Sequence, residues 1–573
     1  MRTNLRILAL TLALGPFWFM PAFADTIGQQ VIFNINNQFD NTARTSLTAT
    51  LRNMSTKAYF YVDDIYWQSI SAYEQTQLLT NIQTLAQEFD NRIYPISTNF
   101  WGSENTPGVD NDVRITILLE ELKVGYGGYF DNINSYTQTQ APGSNQREMI
   151  ILNARALSVN SAKEFLAHEF QHLISNQQKE LLRNIADPIW LNEARSEYAA
   201  SLLNYNEPFF NSNLDRRSRT FLQNPSNSLT DWPNDTKDYA IAAVFGEYLT
   251  GRYGPRILSD SIKSNSTGIA SLNAFWSANG YQERFTDVFA DWMIASYLNK
   301  SGDSRFGYAT ANLNNLRVIP QTNEFIQSGG SYTISASLKS WQPSWFSFTS
   351  TQSGNQALKL EIIGTNTFLI PYVVFYSDGT QSINTSLVNS LQTIYIRSNG
   401  RQVQRVVLAA SPIGSLPERN SESIEHSLTM RTSLVNDSEA QSAVPTITLT
   451  PAQSPEMLST GSLIKRRGSE QEVYVIEGKY KRYLRPEIIA LYGHLQGIQP
   501  TAVDDSIFHS YIMANYIRHV DQKQVYVVWP DGTKHWLNMS GEYFAQSGRD
   551  WGSIFIINDG EFNTYRTGPD ITH

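Results

Sequence analysis

The stretch Glu164-Phe165-Leu166-Ala167-His168-Glu169-Phe170-Gln171-His172-Leu173-Ile174-Ser175 decides how the chain is read. It holds no proline or glycine, and its apolar residues recur at helical spacing, which predicts a helix. His168 and His172 then share one face, one turn apart. Two neutral imidazoles at that spacing can bind a single Zn²⁺ at ~2.0–2.1 Å each. Glu169, beside the first ligand, can point toward a metal-bound water without binding the metal itself. This is the HExxH arrangement of zinc sites. The next histidine after these two is His426, and none precedes them, so the long N-terminal region spends all its histidines here.

A catalytic zinc site takes three protein ligands and leaves one position open. Downstream runs Asp187-Pro188-Ile189-Trp190-Leu191-Asn192-Glu193-Ala194-Arg195-Ser196-Glu197-Tyr198-Ala199-Ala200. Asp187 as N-cap and Pro188 as first helical residue predict a second helix. Glu193 and Glu197 fall one turn apart on it. Packed against the first helix, Glu193 supplies the third ligand, and Glu197 accepts the other ring N–H of a ligand histidine, fixing its tautomer. A third helix opens at Asp238-Tyr239-Ala240. Tyr239 is the candidate donor to the oxyanion of a tetrahedral intermediate, against the competing reading of a packing tyrosine with a satisfied hydroxyl.

These segments resemble the gluzincins, the thermolysin-like zinc peptidases, in which HExxH is followed about twenty residues later by Asn-Glu-Ala-x-Ser-Glu. Thermolysin itself has Asp where Glu197 stands. Gly127-Gly128-Tyr129-Phe130, Glu148-Met149-Ile150-Ile151-Leu152-Asn153, Trp190-Leu191-Asn192-Glu193 and Tyr239 through Tyr253-Gly254 are similar to the hyicolysin family of bacterial secreted peptidases. The resemblance covers roughly residues 30–299. It implies a zincin fold, His168, His172 and Glu193 as zinc ligands, Glu169 as general base and Glu197 behind the ligands. The implied activity is endopeptidase hydrolysis of a protein or peptide substrate by a zinc-bound water that Glu169 activates. An aminopeptidase would use the same zinc site but needs an acidic anchor for the substrate amine, for which Gly125–Phe130 offers no pattern. A catalytically latent or inactive surface adhesin is the alternative from another class.

Composition sets the outer limits. The 573 residues carry a formal charge of −9 without blocks of like charge, which excludes a generic nucleic-acid binder and a polybasic membrane patch. Hydrophobic residues make up 41% and aromatics 12%, too much for a disordered chain. There is no cysteine, so disulfide scaffolds, thiolate metal sites and cysteine nucleophiles are excluded. Arg2 and Arg6, the apolar run from Ile7 to Leu14 extended to Met20, and Ala22-Phe23-Ala24 predict a secretory signal peptide over residues 1–24. No later stretch reaches the ~20 apolar residues of a transmembrane helix. The mature chain is expected outside the cytoplasm, secreted or at a bacterial cell surface.

The expected architecture is α+β. A metallopeptidase domain spans 25–318, with strands over Gln30–Asp64, Val113–Leu119 and Glu148–Asn153, a helix over Ser71–Phe89, and helices from Ser161 to about Asn299. Gly125–Gly128 lacks the Lys-Ser/Thr of a phosphate loop and is expected to form a cleft wall. Asp63-Asp64 and Asp110-Asn111-Asp112 read as turn and edge residues rather than a calcium site. Short alternating strands (Ser331–Ala336, Ser344–Thr349, Leu358–Ile363, Tyr372–Tyr376, Thr393–Arg397 and Gln404–Ala410), with turns at Asp378-Gly379 and Asn399-Gly400, predict a β-sandwich over 319–412. Residues 413–460, rich in Ser, Thr, Glu and Pro, are expected to be an extended linker. The last part, 461–573, repeats itself at a spacing of about 53 residues. Val473-Tyr474-Val475-Ile476 with Lys481-Arg482-Tyr483-Leu484 answers to Val525-Tyr526-Val527-Val528 with Lys534-His535-Trp536-Leu537. Two such modules suit a cell-surface ligand or an inert cap equally.

Overall fold

The computed structural model describes residues 24–158, 161–350, 356–397, 401–414, 424–442, 461–466, 472–492, 495, 500–503, 507–508, 511–529, 532–546 and 549–572. Apart from Ala24, the expected signal peptide lies outside them, as does the expected turn at Asn399-Gly400. The chain divides into two compact units, Met1–Pro451 and Ala452–His573.

The first unit is α+β. Strands β1 (Gln30–Asn34), β2 (Ser46–Met54), β3 (Ala58–Asp63), β4 (Ile115–Glu120), β5 (Gly128–Tyr129) and β6 (Met149–Asn153) form one sheet in the order β1-β2-β3-β4-β6-β5. β3, β4 and β6 run parallel. They are buried nearly throughout, as unbroken apolar strands covered on both faces must be. Phe60, Val62, Ile117, Leu119, Ile150 and Leu152 face the main core with the helices. The alternate residues Tyr59, Tyr61, Leu118, Met149 and Ile151 join Phe33 and Leu47 in a smaller core on the reverse face. β5 pairs antiparallel with β6 and is the edge strand.

The helices are α1 (Asp64–Ser69), α2 (Ala72–Glu88), α3 (Tyr94–Trp101), α4 (Ala162–Ser175), α5 (Ile189–Leu202), α6 (Asn213–Gln223), α7 (Thr236–Tyr253), α8 (Arg256–Lys263), α9 (Gly268–Ala278) and α10 (Phe285–Leu298). α2 starts at a reciprocal capping box of Ser71 and Glu74. α4 buries Leu166, Phe170, Leu173 and Ile174, which fixes the opposite arc of the helix toward the cleft. The start of α5 corrects one expectation. Pro188 is the N-cap, and Asp187 does not cap, because its carboxylate is held by Arg195, Lys179 and the Gly268 N–H.

A second sheet follows: β7 (Thr322–Ile326), β8 (Ser331–Lys339), β9 (Ser344–Ser350), β10 (Gln356–Tyr376), β11 (Gln381–Arg397), β12 (Val403–Pro412) and β13 (Glu425–Asn436). The order is β7-β9-β12-β10-β13-β8, with β11 also on β10. β10 is a single strand of 21 residues where two were expected. Gly364–Asn366 forms a bulge in the β10–β11 pairing, between Ile363 and Thr367. The first half of β10 pairs with β13 and the second with β12, so one strand serves both halves around a shared apolar core. The expected turn at Asp378-Gly379 joins β10 to β11, with Gly379 at φ +83°.

β13 corrects the linker expectation for 413–460. Leu428, Met430 and Leu434 alternate inward and Thr432 is fully buried, so this Ser/Thr-rich segment is an inner strand, followed by helix α11 (Asp437–Ser442). Residues 415–423 and 443–460 lie outside the described residues. The second sheet also shares the main core: Trp341, Trp345, Leu369 and Ala409 pack there, and Trp345 Nε1 donates to Met293 O at 3.0 Å.

The second unit holds two five-stranded sheets. One is β14 (Leu463–Arg466), β15 (Val473–Glu477), β16 (Tyr480–Leu484), β17 (Thr501–Val503) and β18 (Ile512–Met513), in the order β17-β14-β15-β16-β18. The other is β19 (Tyr516–His519), β20 (Val525–Val528), β21 (Thr533–Trp536), β22 (Ile554–Ile557) and β23 (Arg566–Thr567), in the order β22-β19-β20-β21-β23. The two orders are the same, strand for strand, and so are the antiparallel and parallel pairings. A buried lysine is repeated with them. Lys481 donates to the carbonyls of Phe508 and Tyr511, and Lys534 to those of Phe562 and Tyr565. Each ammonium also sits 3.9 Å from a phenylalanine ring, Phe508 or Phe562.

Candidate metal centre

α4 and α5 pack side by side and bring the predicted residues together. His168 Nε2 and His172 Nε2 are 3.2 Å apart. Glu193 Oε2 lies 3.3 Å from the first and 3.5 Å from the second. The ligand atoms of the three all fall within 4.8 Å of one another, an arrangement that can hold a metal ion. Two imidazole nitrogens and a carboxylate oxygen suit a borderline divalent ion. Glu193 Oε2 is buried and makes no hydrogen bond, a costly state for a carboxylate oxygen unless a cation takes it up.

The charges around this cluster are strongly coupled. Burial opposes a proton on His168, but Glu193, Glu169 and Glu197 outweigh it and push the ring up to about 9. Burial likewise opposes the charge of Glu193, yet His172 and His168 hold its carboxyl far below the usual carboxylate range. Glu169 moves the other way: burial raises it, and the two histidines offset only part of that. The residue is buried, and among the described residues its carboxylate makes no hydrogen bond or salt bridge. Its lone pairs are therefore uncommitted beside the three ligand atoms.

Glu197 sits behind His168, with Oε1 3.6 Å from Nδ1. Burial opposes its charge, and Arg217 and Asn213 of α6 overcome that. Arg217 donates from Nε at 2.9 Å and Nη2 at 2.7 Å, and Asn213 Nδ2 at 2.6 Å. Neither residue stands out in the sequence, because α6, with Arg216, Arg217 and Arg219, has the charge pattern of a surface helix. Arg216 reaches Glu164 on α4 at 3.2 Å.

Tyr239 is half-buried at the start of α7, close enough to feel Glu193, Glu169 and Glu197, and burial with these carboxylates raises its hydroxyl far above the ordinary value. The hydroxyl donates to Asn234 Oδ1 at 2.7 Å, and the ring lies 4.9 Å from the Arg217 guanidinium. Gly127 and Gly128 of the glycine loop lie close against α4 and β6. A Cβ on Gly128 would come 2.7 Å from Ile151 O and 3.1 Å from Glu169 Cγ, and one on Gly127 would meet the Phe165 ring at 2.4 Å. Glycine lets β5 run directly against α4. Asp63 and Asp110 serve local turns, accepting from the N–H of Ile65 and of Asp112, in keeping with their reading as turn residues.

No family model matches the chain, and no curated protein matches it. Three solved structures show a faint likeness. A periplasmic inhibitor of g-type lysozyme from Aeromonas hydrophila is 11% identical over 19% of this chain and 98% of its own, with a TM-score of 0.14. The Yersinia pseudotuberculosis-derived mitogen is 7% identical over 18% of this chain and 86% of its own, at 0.14. The pre-peptidase C-terminal domain of a Bacillus anthracis collagenase is 11% identical over 20% of this chain and 97% of its own, at 0.13. Likeness of that size carries no argument about fold or function, so the case for this chain rests on its own residues.

Proposed function

We propose that the chain is a zinc-dependent endopeptidase of gluzincin type, working outside the cytoplasm. The observation that carries this reading is the convergence of His168, His172 and Glu193 beside a buried Glu169 whose carboxylate makes no hydrogen bond or salt bridge among the described residues. His168, His172 and Glu193 hold the metal, which when bound supplies Lewis acidity to a peptide carbonyl and to water. Glu169 takes the proton of the attacking water and returns it to the departing amine. Tyr239 exchanges Asn234 for the oxygen that gains charge and donates to it. The free side of edge strand β5, which lies against α4, accepts the backbone of an extended polypeptide. A cleft walled by a strand edge suits internal cleavage of unfolded protein.

The test is cleavage of an unfolded protein substrate by the mature chain beside Glu169→Gln, with zinc content measured in both. Internal cleavage by the wild type and none by the zinc-loaded variant is the expected pair. If both are inert with zinc bound, the peptidase reading fails.

A further inference from the structure

The two histidines are oriented by different means. His168 turns Nδ1 toward the carboxylate of Glu197. His172 turns Nδ1 toward a hydroxyl, Ser196 Oγ, at 3.1 Å. Ser196 has one proton and two carbonyl oxygens in reach: Gln171 Oε1 at 2.5 Å and the Asn192 backbone O at 3.2 Å. Gln171 in turn donates from Nε2 to Ser175 Oγ at 3.0 Å, which aims its oxygen at Ser196. Gln171, Ser175 and Ser196 are all buried, so water does not compete for these groups. A hydroxyl proton committed to a carbonyl leaves only lone pairs for His172. Nδ1 must then carry a hydrogen, and in a neutral ring Nε2 is left as the electron-pair donor.

We infer that Ser196 and Gln171 are positioning residues, a neutral relay that fixes His172 as the Nδ1–H tautomer and aims its Nε2 lone pair at the point flanked by His168 and Glu193. This rests on the metal-site reading above. The relay orients one ligand without adding charge to a site that already holds Glu169, Glu193 and Glu197. Gln171 belongs to the motif helix yet points away from the ligands; its part is played through α5.

The experiment uses the metal-free full chain labelled with ¹⁵N-histidine at alkaline pH, where ring nitrogen shifts separate Nδ1–H from Nε2–H, and zinc affinity by chelator competition. Wild-type His172 is expected as Nδ1–H. Ser196→Ala is expected to populate Nε2–H and to weaken zinc about 10–100-fold. Ser196→Thr, which keeps the hydroxyl, is expected to restore both readouts, and Gln171→Met, which leaves Asn192 O as the one acceptor, to fall between. A wild-type His172 found as Nε2–H overturns the inference without any variant, should Ser196→Ala not fold. Ser196→Ala that loses zinc while His172 stays Nδ1–H also overturns it, because the serine is then merely structural. Neither readout needs turnover. A chain with this tautomer and tight zinc that cleaves nothing defeats the peptidase reading alone, and a wild type that binds no zinc defeats the metal reading.

Discussion

Glu197 receives both near donors of the Arg217 guanidinium, at 2.9 and 2.7 Å, while its Oε1 stays 3.6 Å from His168 Nδ1. One carboxylate thus ties α6 to the helix that carries His168. Removing the arginine strands a buried anion, so Arg217→Ala is expected to cost about 3–5 kcal/mol in urea unfolding. Arg217→Lys keeps the charge but loses the fork, and falls between. An Arg217→Ala protein that unfolds at the wild-type midpoint would show that Asn213 alone suffices.

A metal held by His168, His172 and Glu193 should stabilise the fold. Zinc at a hundredfold excess over its dissociation constant is expected to add about 2.7 kcal/mol, visible as a higher melting temperature that chelator reverses. Glu193→Ala, lacking the carboxylate that faces the two histidines, should melt alike with and without zinc. An equal zinc-induced rise in that variant would place the ion elsewhere.

Space at the cleft wall is a sharper test than charge. Gly128→Val adds atoms where Ile151 O already stands 2.7 Å from an ideal Cβ. The edge strand must shift against β6 and against Glu169 of α4, so peptide cleavage is expected to fall at least tenfold while zinc content holds. Cleavage at the wild-type rate would mean that substrate does not run along β5.

Glu247 of α7 predicts a slope with pH. Burial raises its carboxyl from 4.5 to about 7, against a hydrogen bond donated by Ser201. Between those values the folded state holds more protons than the unfolded one, so stability falls as pH rises through that window. The loss is on the order of 3 kcal/mol. Glu247→Gln carries no such proton, and its unfolding free energy relative to wild type should climb across the same window. A constant difference between the two proteins would disprove the assignment.

In the second unit, Arg482 of the first repeat meets Glu561 of the second, a fully buried carboxylate that also accepts from Tyr492 and Tyr565. Arg482→Leu is expected to destabilise both repeats together, with one cooperative transition at lower denaturant. Two separated transitions would show that the modules stand independently.

The motif helix was legible in sequence because its periodicity and its histidine spacing are both local. Glu193 was legible because a site with two imidazoles lacks a third ligand and α5 offers one on the right face. Ser196 and Gln171 were not, since a hydroxyl and an amide gain meaning only when two helices meet. Arg217 was hidden for the same reason, twenty residues past its partner. β13 escaped because Ser, Thr and Arg fill its outward positions and mask Leu428, Met430 and Leu434. Tyr239 lies close enough to feel Glu193, Glu169 and Glu197, and its hydroxyl rests on Asn234.

The inner position of β13 bears on how the chain can be cut. A fragment ending at residue 412 would keep the strands that flank it, β10 and β8, and leave each with bare amides and carbonyls along a partnerless margin. Such margins recruit other chains and seed precipitation. Soluble preparations of the half that carries His168 and His172 therefore need to run past Asn436, through α11.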